Sequence, residues 1–311
     1  MKKTALLFAG QGAQCVGMGR DLAQNYPSAQ ALFAQADAAL GYPLSQICFE
    51  GPDDKLTQTE HAQPAIYLVG WIAFQLLLEK IPGLQFHATA GLSLGEFTAL
   101  AAAQSLSFID GLQLVRARGQ FMQEACDTTQ GGMAAVIGLD ETATRKACDE
   151  AGAYLANLNC PGQLVISGPN DAIERACQLA KTAGARKAVP LPVAGAYHSP
   201  LMSTAQEKLQ QTIQSVPLNN PTTTVISNVT AQPHNNHSSI RQSLVQQVTS
   251  PVRWEDSIRL LLAQGFTRFI ELGPGKALSG FMKRIDKDAE ILNIGDIPSL
   301  EATTQYLTAN P

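Results

Sequence analysis

The five residues Gly91-Leu92-Ser93-Leu94-Gly95 place a serine between two glycines. The apolar stretch before them, Phe86 to Ala90, reads as a strand, and Glu96 to Ala103 after them is rich in helix formers. A serine at a strand-to-helix corner of this kind is a nucleophile elbow. The turn leaves no room for a side chain on either side of the serine, hence glycine at 91 and 95. It pushes the Ser93 hydroxyl into solvent at a helix N-terminus, where the dipole favours a developing anion. A plain Gly-Ser loop carries the same pattern, so the flanking strand and helix are what give it weight.

A serine hydroxyl is a poor nucleophile at neutral pH and needs a base. The chain has five histidines. His87 falls in or before the elbow strand and faces the wrong way, and His61, His234 and His237 sit in polar segments. The spacing of His234 and His237 would suit a metal, but their Asn- and Ser-rich surroundings read as a surface loop. His198 lies in Val193 to Met202, at a junction between two textures of sequence, where a cleft would form. The alternative for His198 is a capping or surface histidine. Arg118 is the other unusual residue. Leu114, Val115, Phe121 and Met122 stand at i−4, i−3, i+3 and i+4 from it, so it falls within the apolar arc of a helix, while Arg116 lies near the edge. A guanidinium there is costly unless it meets a carboxylate, either a structural Asp or Glu or the acid group of a ligand.

The elements that must position these residues alternate. Thr4–Ala9 reads as a strand followed by Gly10-Gln11-Gly12, which lacks the Gly-Lys-Ser/Thr ending of a P-loop. Helices are expected at Pro27–Leu40, at Pro64–Glu79 with the proline in its first turn, and from a Ser107 N-cap to about Ala125. Residues 133 to 191 then run strand, helix, strand, strand, helix, strand: Met133–Ile137, Glu141–Ala151, Tyr154–Leu158, Leu164–Ser167, Asp171–Ala183 and Lys187–Leu191. That order is the split βαβ, or ferredoxin-like, arrangement, inserted into the larger unit. The larger unit resumes with helix Pro200–Ser215, strand Thr223–Asn228, helices Ser239–Val248 and Pro251–Gln264, strand Phe266–Leu272, helix Lys276–Ile285 and strand Ile291–Ile294. The alternation predicts an α/β fold, with a parallel sheet covered on both faces. The large subdomain is expected at 1–128 and 197–311 and the small one at 129–196.

Composition bounds the function. Charge of 15% and hydrophobic content of 45% are those of an ordinary globule, and a net charge of −4 gives no reason to expect nucleic-acid binding. The apolar run at Ala5–Ala9 is too short for a signal peptide. No window is read as apolar enough to span a membrane, so a cytoplasmic protein is expected. The six scattered cysteines form no C-x-x-C pair and read as reduced core residues, and no metal is expected.

Seven segments occur in an order that resembles a known family: Gly10-Gln11-Gly12, Gly91 to Glu96, Arg118 to Gln123, Asn159 to Gln163, Tyr197 to Met202, Ser250 to Trp254, and Glu271 to Lys276. The chain resembles the malonyl-CoA:acyl carrier protein transacylases of fatty-acid synthesis and, with them, the acyltransferase modules of polyketide synthases. The resemblance spans nearly the whole chain. It implies an α/β-hydrolase-like large subdomain carrying a ferredoxin-like small one. It also implies a Ser93–His198 dyad whose imidazole is oriented by a main-chain carbonyl at Gln247, with an oxyanion hole from the N–H groups of Gln11 and Leu94. By the same resemblance Arg118 grips the free carboxylate of malonate, and Gln63 and Asn159 line the substrate site. Tyr197 stands where malonyl-selective relatives carry a bulky aromatic that crowds an α-methyl group. Leu92 departs from the histidine of many bacterial relatives and removes one polar contact.

The implied reaction moves malonyl from coenzyme A to the phosphopantetheine thiol of acyl carrier protein by a ping-pong route. Coenzyme A enters only as the substrate thioester, and no cofactor is required. A monomer is expected, docking the acidic carrier protein on a basic patch for which Lys276, Lys283 and Arg284 are candidates. The competing readings are a trans-acting acyltransferase of a polyketide synthase and a serine thioesterase or other hydrolase. A hydrolase normally supplies an acidic third triad member and needs no arginine in its acyl pocket.

Overall fold

The computed structural model describes residues 2–310; Met1 and Pro311, the outer limits of the expected large subdomain, lie outside the described residues. Among the described residues nine strands form two sheets: β1 (Thr4–Phe8), β2 (Ala88–Gly91), β3 (Gly131–Ile137), β4 (Tyr154–Cys160), β5 (Gln163–Pro169), β6 (Lys187–Pro190), β7 (Thr224–Val225), β8 (Arg268–Leu272) and β9 (Glu290–Ile294). The first sheet has the order β7-β2-β1-β8-β9, and every pair in it is parallel. Its central strand β1 is buried on both sides. Leu6 and Phe8 enter one apolar cluster, and Ala5 and Leu7 enter another on the opposite face. This is how a near-continuous apolar run becomes an inner parallel strand.

The second sheet is antiparallel, in the order β4-β5-β3-β6, with the helices Glu141–Ala151 and Asn170–Thr182 between its strands in sequence. It has its own core of residues such as Ala134, Leu155, Ile166 and Ile173. The small sheet is also spliced to the large unit. Val252 pairs alongside β4, its N–H donating to the Ala156 carbonyl at 2.8 Å and its carbonyl accepting from Leu158 at 2.9 Å. Both sheets agree with the α/β class read from the sequence.

Several elements differ from the sequence reading. The second long helix begins at Thr59, not Pro64, so the proline sits inside it. The helix starts on the Gln58 carbonyl, which accepts from His61 and Ala62, and Pro64 forfeits only the bond to the Glu60 carbonyl one turn back. This helix, Thr59–Lys80, is also long and apolar enough to cross a membrane by length and composition, contrary to the reading of the sequence. In this fold 78% of its apolar window is buried, against the first sheet and the Phe108–Thr128 helix. The strand expected at Thr223–Asn228 shrinks to two residues at the sheet edge, and Pro251–Arg253 is the splice to β4 rather than helix. Helices at Arg20–Asn25, Leu44–Glu50, Asp53–Thr57 and Ile297–Ala309 had no counterpart in the reading. Cys15 is exposed, whereas the other cysteines are buried as expected.

Candidate active site

β2 ends at Gly91, and the helix Gly95–Ala102 starts four residues later. Between them Ser93 holds a left-handed backbone, φ +52°, a conformation that costs a non-glycine residue about 1–2 kcal/mol. The tightness anticipated from the two glycines is literal. A Cβ at Gly91 would overlap the Gly95 backbone, and one at Gly95 would overlap the Phe8 carbonyl of β1. Asn228, just beyond β7, braces the corner: its Oδ1 accepts from Ser93 N at 2.6 Å and its Nδ2 donates to the Gly91 carbonyl at 2.8 Å.

Ser93 Oγ lies 2.9 Å from His198 Nε2. On the other side of the ring, Nδ1 donates to the Gln247 main-chain carbonyl at 2.8 Å. That bond puts the proton on Nδ1 and leaves the Nε2 lone pair for the serine. Burial, and after it the Arg118 guanidinium, pushes the imidazole down to about 4, so the ring is neutral and able to accept a proton at pH 7. Among the described residues no acidic side chain touches Nδ1, and the backbone carbonyl of Gln247 orients the ring.

Arg118 is almost fully buried. Its helix, Phe108–Thr128, comes close to the start of the Thr59–Lys80 helix because Gly119 follows it; a Cβ there would stand 2.6 Å from the Thr59 carbonyl oxygen. One turn into that helix, Gln63 Oε1 accepts from Arg118 Nη1 at 2.7 Å. Arg118 Nη2 donates to Gln247 Oε1 at 2.9 Å and to Ser93 Oγ at 3.1 Å, and the guanidinium stacks 5.5 Å from the Phe97 ring centroid. Its Nε has no partner. Burial lowers its pKa to about 10, and the nearby Glu96 charge opposes that fall, so it remains a cation at pH 7. The structural option raised by the sequence is half met: among the described residues no carboxylate touches the guanidinium, but Glu96 stands behind Gln247.

A cleft of about 490 Å³ opens over Ser93 and His198 between the two sheets. Gln11, Leu92, Asn159 and Tyr197 line it, together with Met122, Val193 and Phe281. The N–H groups of Gln11 and Leu94 have no acceptor among the described residues. Asn159 Oδ1 is likewise unpaired and buried. The Tyr197 hydroxyl is 2.5 Å from Thr59 Oγ1, and burial pushes its pKa up. Lys276, Lys283 and Arg284 stand on or beside the Ala277–Ile285 helix, whose Ala277, Leu278 and Phe281 line the cleft. All three are exposed, and Arg284 reaches Gln163 of the small sheet at 2.7 Å.

The structure also pairs residues that the sequence did not connect. Glu96 is fully buried beneath Ser93, and its Oε1 accepts from His234 Nε2 at 2.8 Å. His234 is thus a buried residue, not part of a surface loop. Its partner is 138 residues away, so nothing local marked it. His237 does stay exposed, against Asn220.

An acyl carbonyl placed between Ser93 Oγ and the two free N–H groups can be attacked and its oxyanion held, while the guanidinium can take an acidic group on the acyl chain. Comparison with known proteins gives the family of the chain. The malonyl CoA-acyl carrier protein transacylase of Bacillus subtilis is 43% identical over 99% of this chain and 98% of its own length. The solved structure of the malonyl CoA-acyl carrier protein transacylase from Coxiella burnetii superposes with a TM-score of 0.95 at 38% identity, covering 99% of this chain and 98% of that one. A type II PKS acyl-carrier protein in complex with its malonyl-transacylase gives 0.95 at 35% identity, covering 98% and 99%. The model of the acyl transferase domain matches residues 5–293, and the chain belongs to that family.

Proposed function

We propose that this chain transfers a malonyl group from malonyl-CoA to the phosphopantetheine thiol of acyl carrier protein, for fatty-acid synthesis, through an ester on Ser93. The observation that carries the reading is the cationic, buried Arg118 guanidinium 3.1 Å from Ser93 Oγ. A planar fork beside the nucleophile selects an acyl group that ends in a carboxylate. The relatives named for this reaction, aligned over nearly the full chain, support it, and the carrier-protein complex supports the acceptor.

In the first half-reaction His198 Nε2 takes the Ser93 proton as Oγ attacks the thioester carbonyl. The oxyanion sits between the N–H groups of Gln11 and Leu94; one such donor is typically worth about 3 kcal/mol of barrier. Collapse expels the coenzyme A thiolate, which takes the proton from His198. In the second half, the carrier thiol gives its proton to His198 and attacks the ester, and Ser93 Oγ leaves as it recovers the proton. The steps need no metal or redox cofactor. Gln63 holds Arg118, Asn159 offers an unpaired oxygen to the substrate, and Tyr197, fixed by Thr59, walls the α-carbon. We place carrier docking at Lys276, Lys283 and Arg284, beside the mouth. We propose a monomer, and five buried unpaired cysteines suit the reducing cytoplasm.

Intact mass spectrometry after mixing with malonyl-CoA tests the reading. One malonyl group should appear, and it should leave when carrier protein bearing its phosphopantetheine arm is added. Ser93→Ala should gain no mass while keeping its circular dichroism spectrum. A malonylated Ser93→Ala protein would place the ester elsewhere.

A further inference from the structure

The reaction as proposed leaves the Gln247 side chain and the carboxylate behind it without a role. Gln247 is fully buried. Its Oε1 accepts from Arg118 at 2.9 Å, while its Nε2 donates to Glu96 Oε2 at 2.6 Å and to the Ser93 carbonyl at 3.0 Å. Glu96 is held in turn by His234 Nε2 at 2.8 Å and by the Asn228 N–H at 3.1 Å. An amide has two ends of similar shape and opposite sense. Reversed, Gln247 would aim an NH₂ at a guanidinium that only donates and an oxygen at a carboxylate that only accepts. The chain carboxylate, amide, guanidinium is therefore fixed in one direction. The same residue's main-chain carbonyl holds His198.

A buried arginine usually has its counter-charge in direct contact, which consumes its donors. Here the counter-charge is one amide away. The guanidinium keeps its charge balanced, yet Nε and its remaining N–H stay without protein partners. The geometry points to Glu96 as an offset counter-ion, a positioning residue that balances Arg118 between turnovers without occupying the acyl pocket and that weakens its grip on malonate enough for the acyl group to be passed on. This rests on Arg118 being the carboxylate clamp. The charged and titratable groups facing Arg118 are Glu96 from the elbow helix, and Tyr197 and His198 from the loop returning from the small sheet; His234 backs Glu96.

The sign of the effect separates this role from a merely structural one. Glu96→Gln keeps the shape: its oxygen can accept from Gln247 and Asn228, and its NH₂ can face His234 in the other tautomer. Loss of the charge should tighten free malonate, measured by calorimetry, by on the order of ten-fold, the effect of one unit charge a residue away at the effective dielectric of a protein interior. The KM for malonyl-CoA should fall with it, and transfer to the carrier should slow. Structural damage would weaken malonate instead, so unchanged or weaker binding overturns the proposal. Thermal stability gives a second readout: Glu96→Gln should lower Tm, and adding Arg118→Met should restore it, because the stranded cation is gone. If Glu96→Gln does not fold, recovery of folding in the double variant supports the counter-ion, and failure of both overturns it. Arg118→Met alone should abolish malonate binding; if it does not, the clamp itself is wrong, which is a different failure.

Discussion

Replacing Arg118 with alanine should change what is transferred as well as how fast. The guanidinium spends three N–H groups on Gln63, Gln247 and Ser93 in the resting enzyme. A bidentate carboxylate that takes over the N–H now given to Ser93 makes two charge-assisted bonds, worth about 1.5–3 kcal/mol each before desolvation and the lost Ser93 contact are subtracted. A net loss of about 3–4 kcal/mol corresponds to roughly 10²–10³-fold in kcat/KM for malonyl-CoA. Acetyl-CoA has no carboxylate to lose. In the wild type the two amide oxygens already hold the cation, so an acetyl group does not strand it, and the penalty on acetyl is one of a missing attraction. In Arg118→Ala acetyl transfer should stay within about ten-fold, limited by the unpaired Gln63 and Gln247 oxygens. The malonyl-to-acetyl ratio should therefore fall by about 10–10³-fold. Arg118→Lys should recover only part of it, since a point charge does not reproduce the fork. Rapid-quench acylation with each thioester measures both numbers. An unchanged ratio in Arg118→Ala would make Arg118 a structural residue and refute the clamp.

His198→Ala should slow acylation and transfer by about 10²–10⁴-fold in stopped-flow assays, and full activity would require another base. With His198 pushed down to about 4, kcat/KM for acylation should be flat through neutral pH and fall only below about pH 5; a midpoint near 6.5 would contradict the burial argument. The same depression acts on stability. The unfolded chain takes up the proton first, near 6.5, so this contribution is whole above that pH and is lost as pH falls toward 4. It amounts to about 3 kcal/mol and should vanish from the denaturation profile of His198→Ala. Gly95→Ala should lose about 3 kcal/mol by forcing the elbow helix off β1, seen as a drop in Tm together with loss of acylation; normal stability would mean that the corner can relax.

The parts of the fold that repeat a local rule were legible. The apolar β1 run and the glycines around Ser93 announce themselves over a few residues, and helix Pro27–Leu40 falls where the sequence reading set it. The errors share a cause. Pro64 looks like a helix start because proline favours first turns, yet Thr59 and Gln58 begin the helix, and packing against Phe108–Thr128 outweighs one lost hydrogen bond. Arg118 was found because a cation in an apolar arc is a local contradiction. Glu96 and His234 were not found as a pair, because a carboxylate in a first helical turn and a histidine among asparagines are each ordinary. Only the fold, by bringing β7 beside β2, makes them neighbours. Capping residues did mark the last helix: Asp296 and Ser299 form a reciprocal cap, a signal present in the sequence and passed over.

The backbone splice of Val252 to β4 sits five residues beyond Gln247. A clamshell motion that parted the two sheets on that side would have to break both of its hydrogen bonds. The jaws are thus fixed at one rim, and traffic must use the open mouth. Donor and acceptor thioesters both have to reach Ser93 through the cleft above it, and while one arm fills that cleft the other cannot enter. Each half-reaction has to vacate before the next visitor arrives, and an excess of either one jams the form of the enzyme meant for the other.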